Sequence, residues 1–166
     1  VKFSISQGFD VIGIDNNFRL KLFGKDGDTN WVKKDLIKNC KRYSHQNIDI
    51  RNYFALEKIY KKHKNSIKLI IHSAAQPSHD WAKQNPFVDF NINALGTLNL
   101  LDLTKKYSSY APFIFLSTNK VYGDNPNLLP LKELNFRWEI SKKNKYSKGI
   151  DESMSLDNCV HSFFGA

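Results

Sequence analysis

Cysteine is almost missing from this sequence: Cys40 and Cys159 are the only two, far apart and outside any C-x-x-C spacing. That excludes a disulfide framework or a cysteine-based zinc module, and leaves two reduced thiols of a protein expected in the cytoplasm. Long apolar runs are lacking as well. None approaches the roughly 20 residues that a bilayer-spanning helix needs, so no membrane partner is expected. Val1-Lys2-Phe3-Ser4 has no signal-peptide character, and without an initiating methionine the natural start is expected upstream. Acidic residues are the minority, 16 against 25 Lys and Arg, for a net charge of +9. The excess is scattered in pairs such as Lys33-Lys34, Lys61-Lys62, Lys105-Lys106 and Lys142-Lys143. No helix-turn-helix, zinc or RNP signature accompanies it, so a general lysine bias, or attraction for a phosphorylated small molecule, is a better match than nucleic acid.

What is present is apolar content of 41% over 166 residues, enough for the core of one domain. Val1 to Gln7 reads as the end of a helix closed by Gly8, and Asp10 to Asp15 as a buried strand ending in an acid. Residues 16–30, with Asn16-Asn17, Gly24 and Gly27, read as a loop. A short helix is expected over Trp31 to Lys38, and a strand near Lys41 to Ser44. Tyr53 to Lys64 has the apolar spacing of an amphipathic helix. Ile67 to His72 and Phe113 to Leu116 are strands. Between them Pro86 opens a long helix to about Tyr107, with an apolar stripe Phe87, Phe90, Ala94, Leu98 and Leu101. From about residue 124 to 166 the chain turns irregular and polar. Strands alternating with helices, and apolar throughout, define a partial Rossmann-like α/β domain with a doubly wound parallel sheet.

Ligands on such sheets bind at the carboxyl ends of the strands, where the polar residues of this chain fall. Asp15 stands where an acid accepts hydrogen bonds from an adenosine ribose and repels a 2′-phosphate, which favours NAD over NADP. An ordinary Asp opening a turn fits as well. Asp49-Ile50 suits an adenine edge or a helix cap. Ser73-Ala74-Ala75-Gln76 is small enough for close backbone approach to a ligand, or for tight packing. Ser117-Thr118-Asn119-Lys120-Val121-Tyr122-Gly123 is more specific, because a strand-end hydroxyl followed by a polar pair and Val-Tyr-Gly seldom arises for packing reasons.

That segment resembles the S-S/T-x-x-V-Y-G motif of extended short-chain dehydrogenases acting on nucleotide sugars, the NAD-dependent epimerase/dehydratase family. With His72 to Trp81 (HSAAQPSHDW), Asn93 to Leu101 (NALGTLNLL) and Arg137-Trp138-Glu139, it looks most like the CDP-paratose 2-epimerases within that family. The resemblance covers nearly the whole chain and is densest over 69–138. It implies reversible oxidation of a sugar carbon to a transient ketone, with hydrogen returned to the opposite face, turning CDP-paratose into CDP-tyvelose. It implies Thr118 as the catalytic hydroxyl, with the cofactor NAD along Asp15, Asn16, Asp49, Ile50, Ser73, Ala74, Ala75, Asn93 and Ser117. Gln76, His79, Asn119 and Lys120 are the candidates for the sugar side, although a surface role suits His79 equally. The expected partner is a nucleotide sugar, a CDP-sugar first, and the full-length parent is expected to be a homo-oligomer. A sugar-nucleotide 4,6-dehydratase or 4-epimerase, or a non-catalytic nucleotide-sugar binder, are the alternatives.

Two departures stand out. The family's opening strand and G-x-x-G-x-x-G turn, which bind the pyrophosphate, have no counterpart in this sequence. The family's Tyr-x-x-x-Lys pair maps onto His161-Ser162-Phe163-Phe164, placing Phe164 where the acid/base tyrosine belongs. The 166 residues alone are therefore expected to be inactive.

Overall fold

The computed structural model describes residues 1–157 and 159–161, apart from the side chain of Asn119. Phe164 lies outside the described residues. The chain divides into two compact units, Val1–Phe115 and a second beginning at Leu116.

The first unit opens with helix α1 (Lys2–Ser6), ended by Gly8 at φ +87°, a conformation glycine adopts without a Cβ penalty. Strand β1 (Val11–Ile14) follows. The stretch expected as a loop over 16–30 instead contains helix α2 (Phe18–Phe23) and a 3₁₀ turn, Gly24–Gly27. Asn17 explains the difference. It takes the left-handed conformation at φ +54°. Its side chain accepts from the Thr29 N–H (3.1 Å) and hydroxyl (3.0 Å) and donates to Asp28 (2.8 Å). One amide thus ties the two ends of the segment together and lets a helix close between them.

Helix α3 (Asn30–Asn39) leads to strand β2 (Tyr43–Gln46), two residues later than expected. β2 pairs parallel with β1 from Val11↔Tyr43 to Ile14↔Gln46. Helix α4 (Tyr53–His63) starts where the Asn52 side chain accepts from the Ala55 N–H at 3.0 Å, satisfying one of the orphan donors of a helix start. Strand β3 (Ile70–His72) and strand β4 (Phe113–Phe115) form a second parallel pair, Ile70↔Phe113 to His72↔Phe115. Between them run helix α5 (His79–Gln84), helix α6 (Pro86–Phe90), a π-helical turn (Asn91–Leu95) and helix α7 (Gly96–Tyr107).

The core shows why α4 and α7 lie together. Leu56 and Leu103 are wholly buried, and Ile50, Tyr60, Ile92 and Leu100 complete the cluster, with Ile14, Ile70 and Phe113 packed against it. Thr104 donates its hydroxyl proton to the Leu100 carbonyl (2.6 Å) and so accepts from the Tyr60 hydroxyl at 3.0 Å. Glu57 ties the outer rim, accepting from Tyr107 (2.7 Å), Lys61 (2.9 Å) and Lys106 (3.0 Å). These donors, the tyrosine first, pull its carboxyl down to about 2.

Within this unit β1 and β3 are each paired on one side only, so the sheet is two parallel pairs and not one continuous sheet. That is the expected Rossmann-like pattern without its first strand. The stripe on the long helix is not the buried face: Phe87 is 83% exposed, and Phe90, Leu98 and Leu101 are also exposed.

The second unit has an antiparallel pair, β5 (Leu131–Glu133) with β6 (Trp138–Ile140), and 3₁₀ turns at Asn119–Tyr122 and Asn125–Leu128. Gly123 takes φ +57° between them, and a Cβ there would stand 2.6 Å from the Val160 carbonyl oxygen. Asp124 closes the same turn, accepting from the Val160 N–H at 2.9 Å.

Candidate functional site

At the end of β1, Asp15 extends the ladder by donating its N–H to the Gln46 carbonyl, and its exposed carboxylate accepts from the Asn17 N–H. Asn16 donates to Asp49 at 3.0 Å, which joins the turns following β1 and β2. Asp49 also receives Arg51 through Nε (2.9 Å), Nη2 (2.6 Å) and the main-chain N–H (2.9 Å). The Arg51 guanidinium holds this carboxyl below the usual carboxylate range. Asp49 is thus a firmly ionised anchor whose lone pairs are largely occupied. Ile50, expected at an adenine edge, is buried in the core, and its carbonyl accepts from Asn99 at 3.0 Å.

A further layer was not foreseen from sequence. Phe18 meets Trp81 edge-on, 6.4 Å between ring centroids, and the Arg51 guanidinium stands 5.3 Å over the Phe18 ring. These contacts bring the turns after β1 and β2 against α5. The spacing of Asp49 and Arg51, two residues apart, was a usable signal. Nothing local in the sequence marks Phe18 or Trp81.

After β3, Ser73 and Ala75 are exposed while Ala74 packs on the core. Gln76 then turns inward. Expected on the sugar side, it is wholly buried. Its side chain donates to Asp89 (2.7 Å) and to the Ser78 carbonyl (2.9 Å) and accepts from the Ser78 N–H. Its amide is therefore taken up inside the protein and is not presented to a ligand. Asn93 brackets the Gln76 backbone, accepting from its N–H (2.8 Å) and donating to its carbonyl (3.3 Å). His79 is the first residue of α5, with Asp80 at 3.5 Å.

In the second unit Ser117 is exposed, and Thr118 caps the 3₁₀ turn Asn119–Tyr122 by accepting from the Lys120 N–H at 3.2 Å. An acceptor bond of this kind leaves the threonine O–H proton free to point at a ligand oxygen. Lys120 is exposed.

Parallel strand pairs, with an acid after β1 and small residues after β3, define a dinucleotide-binding α/β protein of the Rossmann-like class. Residues 1–148 match the model of the "NAD dependent epimerase/dehydratase family", and the chain belongs to that family. The family is NAD-dependent. The chain is 34% identical over 163 residues to CDP-paratose 2-epimerase of Salmonella typhi, covering 98% of this chain and 44% of that protein. It is 35% identical over 127 residues to UDP-glucuronate 4-epimerase of Thermodesulfobacterium geofontis, covering 75% and 37%. Among solved structures, UDP-glucose 4-epimerase from Bifidobacterium longum in complex with NAD+ and UDP superposes with a TM-score of 0.58 at 24% identity, over 84% of this chain and 36% of that one. The chain therefore spans less than half the length of these relatives. Among the described residues, no helix is long and apolar enough to cross a membrane, and no cluster of His, Cys, Asp and Glu could hold a metal ion.

Proposed function

We propose that this chain forms part of the NAD and sugar site of a nucleotide-sugar epimerase acting on a CDP-sugar, with CDP-paratose to CDP-tyvelose as its reaction. The observation that carries the reading is the Ser117–Gly123 segment. Thr118 is fixed there by its acceptor bond from Lys120 N–H, and the resemblance to the CDP-paratose enzyme extends along the whole chain.

NAD, when bound, supplies reversible two-electron oxidation of a sugar carbinol. The residues present suit it. Asp15 offers an exposed carboxylate to a ribose diol, Asn16 is oriented by Asp49, and Ser73 and Ala75 give a small-residue wall after β3. Ile50 would meet the adenine through its main chain, and Ser117 would border the nicotinamide side. Thr118 would donate its hydroxyl proton to the reacting sugar oxygen, and His79, Asn119 and Lys120 are the candidates for contacts with the sugar nucleotide. Gln76 and Asn93 hold the wall in place. The free thiols of Cys40 and Cys159 suit the reducing cytoplasm. The exposed apolar face of α6 and α7 suits a homo-oligomeric parent.

The test is to incubate the complete natural polypeptide with NAD and CDP-paratose, UDP-glucose or UDP-glucuronate, and to follow the sugar protons by NMR. Conversion of CDP-paratose alone supports the reading, and failure with all three while NAD still binds rejects it. Phe164 favours a second reading, a binder without turnover, since a phenyl ring carries no transferable proton. Under that reading Phe164→Tyr creates activity where the natural protein has none.

A further inference from the structure

The segment that follows β3 is held by one carboxylate oxygen. Oδ1 of Asp89, on α6, accepts from Gln76 Nε2 at 2.7 Å and from Asn93 Nδ2 at 3.0 Å. Asp89 and Asn93 stand four residues apart and straddle the start of the π-helical turn, which places both polar groups toward the same stretch of chain. A primary amide looks nearly the same to its surroundings when turned over, so its orientation is set by the groups it faces. An ionised carboxylate only accepts. Both amides must therefore present their NH₂ groups to Asp89, and their oxygens are forced the other way.

Those oxygens have specific tasks. The Asn93 oxygen accepts from the Gln76 main-chain N–H at 2.8 Å, and the Gln76 side-chain oxygen accepts from the Ser78 N–H. With the NH₂ of Asn93 on the Gln76 carbonyl and that of Gln76 on the Ser78 carbonyl, four main-chain groups over Gln76 to Ser78 are fixed by two amides. Gln76 is wholly buried, so water cannot replace a bond that is lost.

We infer that Asp89 is a positioning residue. By imposing one orientation on Gln76 and Asn93, it holds the Ser73–Ala75 wall and the Ser78–His79 start of α5 in the geometry that the bound cofactor and sugar require. The functional part of this inference rests on the epimerase reading above. The structural part, amide orientation set by one carboxylate, does not.

Asp89→Asn is the discriminating change, because it keeps the shape and replaces an obligate acceptor with a group that can also donate. The complete natural polypeptide and its D89N variant are compared by hydrogen–deuterium exchange and by steady-state kinetics. Asp80→Asn, which alters a side chain 97% exposed on α5, serves as the control. Exchange at Gln76 and Ser78 should rise about tenfold or more in D89N, while α4 and α7 keep wild-type protection. Turnover should fall about tenfold or more, since displacements of about an ångström carry losses up to a hundredfold. KM for NAD should rise about threefold or more as the Ser73–Ala75 wall loosens, while α4 and α7 stay protected, a combination that general unfolding does not produce. Unchanged exchange in D89N overturns the inference whether or not the protein proves to be an enzyme. Raised exchange with wild-type turnover overturns its functional half. Absence of epimerisation by the natural protein counts against the epimerase reading and leaves the exchange result to decide on Asp89.

Discussion

The His72 imidazole and the Thr97 hydroxyl lie 2.8 Å apart, and Thr97 donates its own proton to the Asn93 carbonyl at 2.6 Å. Thr97 must then accept from His72, which places a proton on Nε2. The bond joins the last residue of β3 to α7, and through Thr97 to the Asn93 carbonyl in the π turn. Burial pushes the His72 pKa down. The unfolded chain therefore binds the extra proton more readily than the folded one. Stability should be fully present above the unfolded value of about 6.5 and should fall as pH drops below it. Denaturant melts between pH 7.5 and 5 should show this slope, and His72→Gln should reduce it. His45, lowered chiefly by burial, supplies the part that remains. Equal slopes in both proteins would remove His72 from the account.

Asp15 should set the choice of dinucleotide. Its exposed carboxylate follows β1 directly, and in the proposed site it would accept from a ribose hydroxyl and repel a 2′-phosphate. A hydrogen bond to a charged group contributes about 1.5–3 kcal/mol, so NAD should bind at least about tenfold more tightly than NADP. Asp15→Ala should narrow the gap. Calorimetry on the complete polypeptide reads this directly, and tighter NADP binding by the natural protein would rule the role out.

Thr118→Val and Thr118→Ser should behave differently. Valine removes both the hydroxyl proton and the acceptor for Lys120 N–H; serine retains both. Turnover should fall about a hundredfold in the valine variant, the typical loss for one aimed donor. Its melting point should fall with the cap, which contributes roughly 0.5–2 kcal/mol. If valine costs stability but not rate, the hydroxyl is structural only.

Gly96→Ala should destabilise although alanine is the better helix former. The new Cβ would stand 2.5 Å from Ile50 Cδ1 and 2.8 Å from its Cγ1, inside the buried cluster. Overpacking costs roughly 1–3 kcal/mol, against a gain of about 1 kcal/mol in helix propensity. Pairing the change with Ile50→Val should recover much of the loss. If the single variant is more stable than the natural protein, the close contact is not limiting.

The half-paired strands should show themselves in association. β1 and β3 each have one unpaired edge, and such edges recruit strands from other chains. Residues 1–166 expressed alone should aggregate or melt without cooperativity, and should not epimerise CDP-paratose. Light scattering with thermal melts would check this; a cooperative monomeric transition raised by NAD would contradict it.

The alternation of strands and helices was readable because apolar runs and period-3.6 spacing are local properties. So was Asp15, at the end of its strand. Other features depend on partners distant in sequence. Phe18–Phe23 is helical because Asn17 reaches Thr29 and Asp28, a closure that residues 16–30 do not advertise through apolar periodicity. Gln76 looks like a free polar residue until Asp89 and Asn93 are seen to enclose it. The long helix has apolar residues on two sides, and periodicity singled out Phe87, Phe90, Leu98 and Leu101. Packing against α4 selected Ile92, Leu100 and Leu103.

The π turn at Asn91–Leu95 gives those two sides a relation of phase. One residue advances an α-helix by about 100°, so the wider turn sets the angle at which everything from Gly96 onward meets the core. Deleting a single residue from this turn would leave both helix ends chemically intact and rotate α7 like a cam. Leu100 and Leu103 would swing off the core as another part of its surface came round. The helix is indexed by its irregularity, and that one surplus residue decides which of its apolar faces the rest of the molecule encounters.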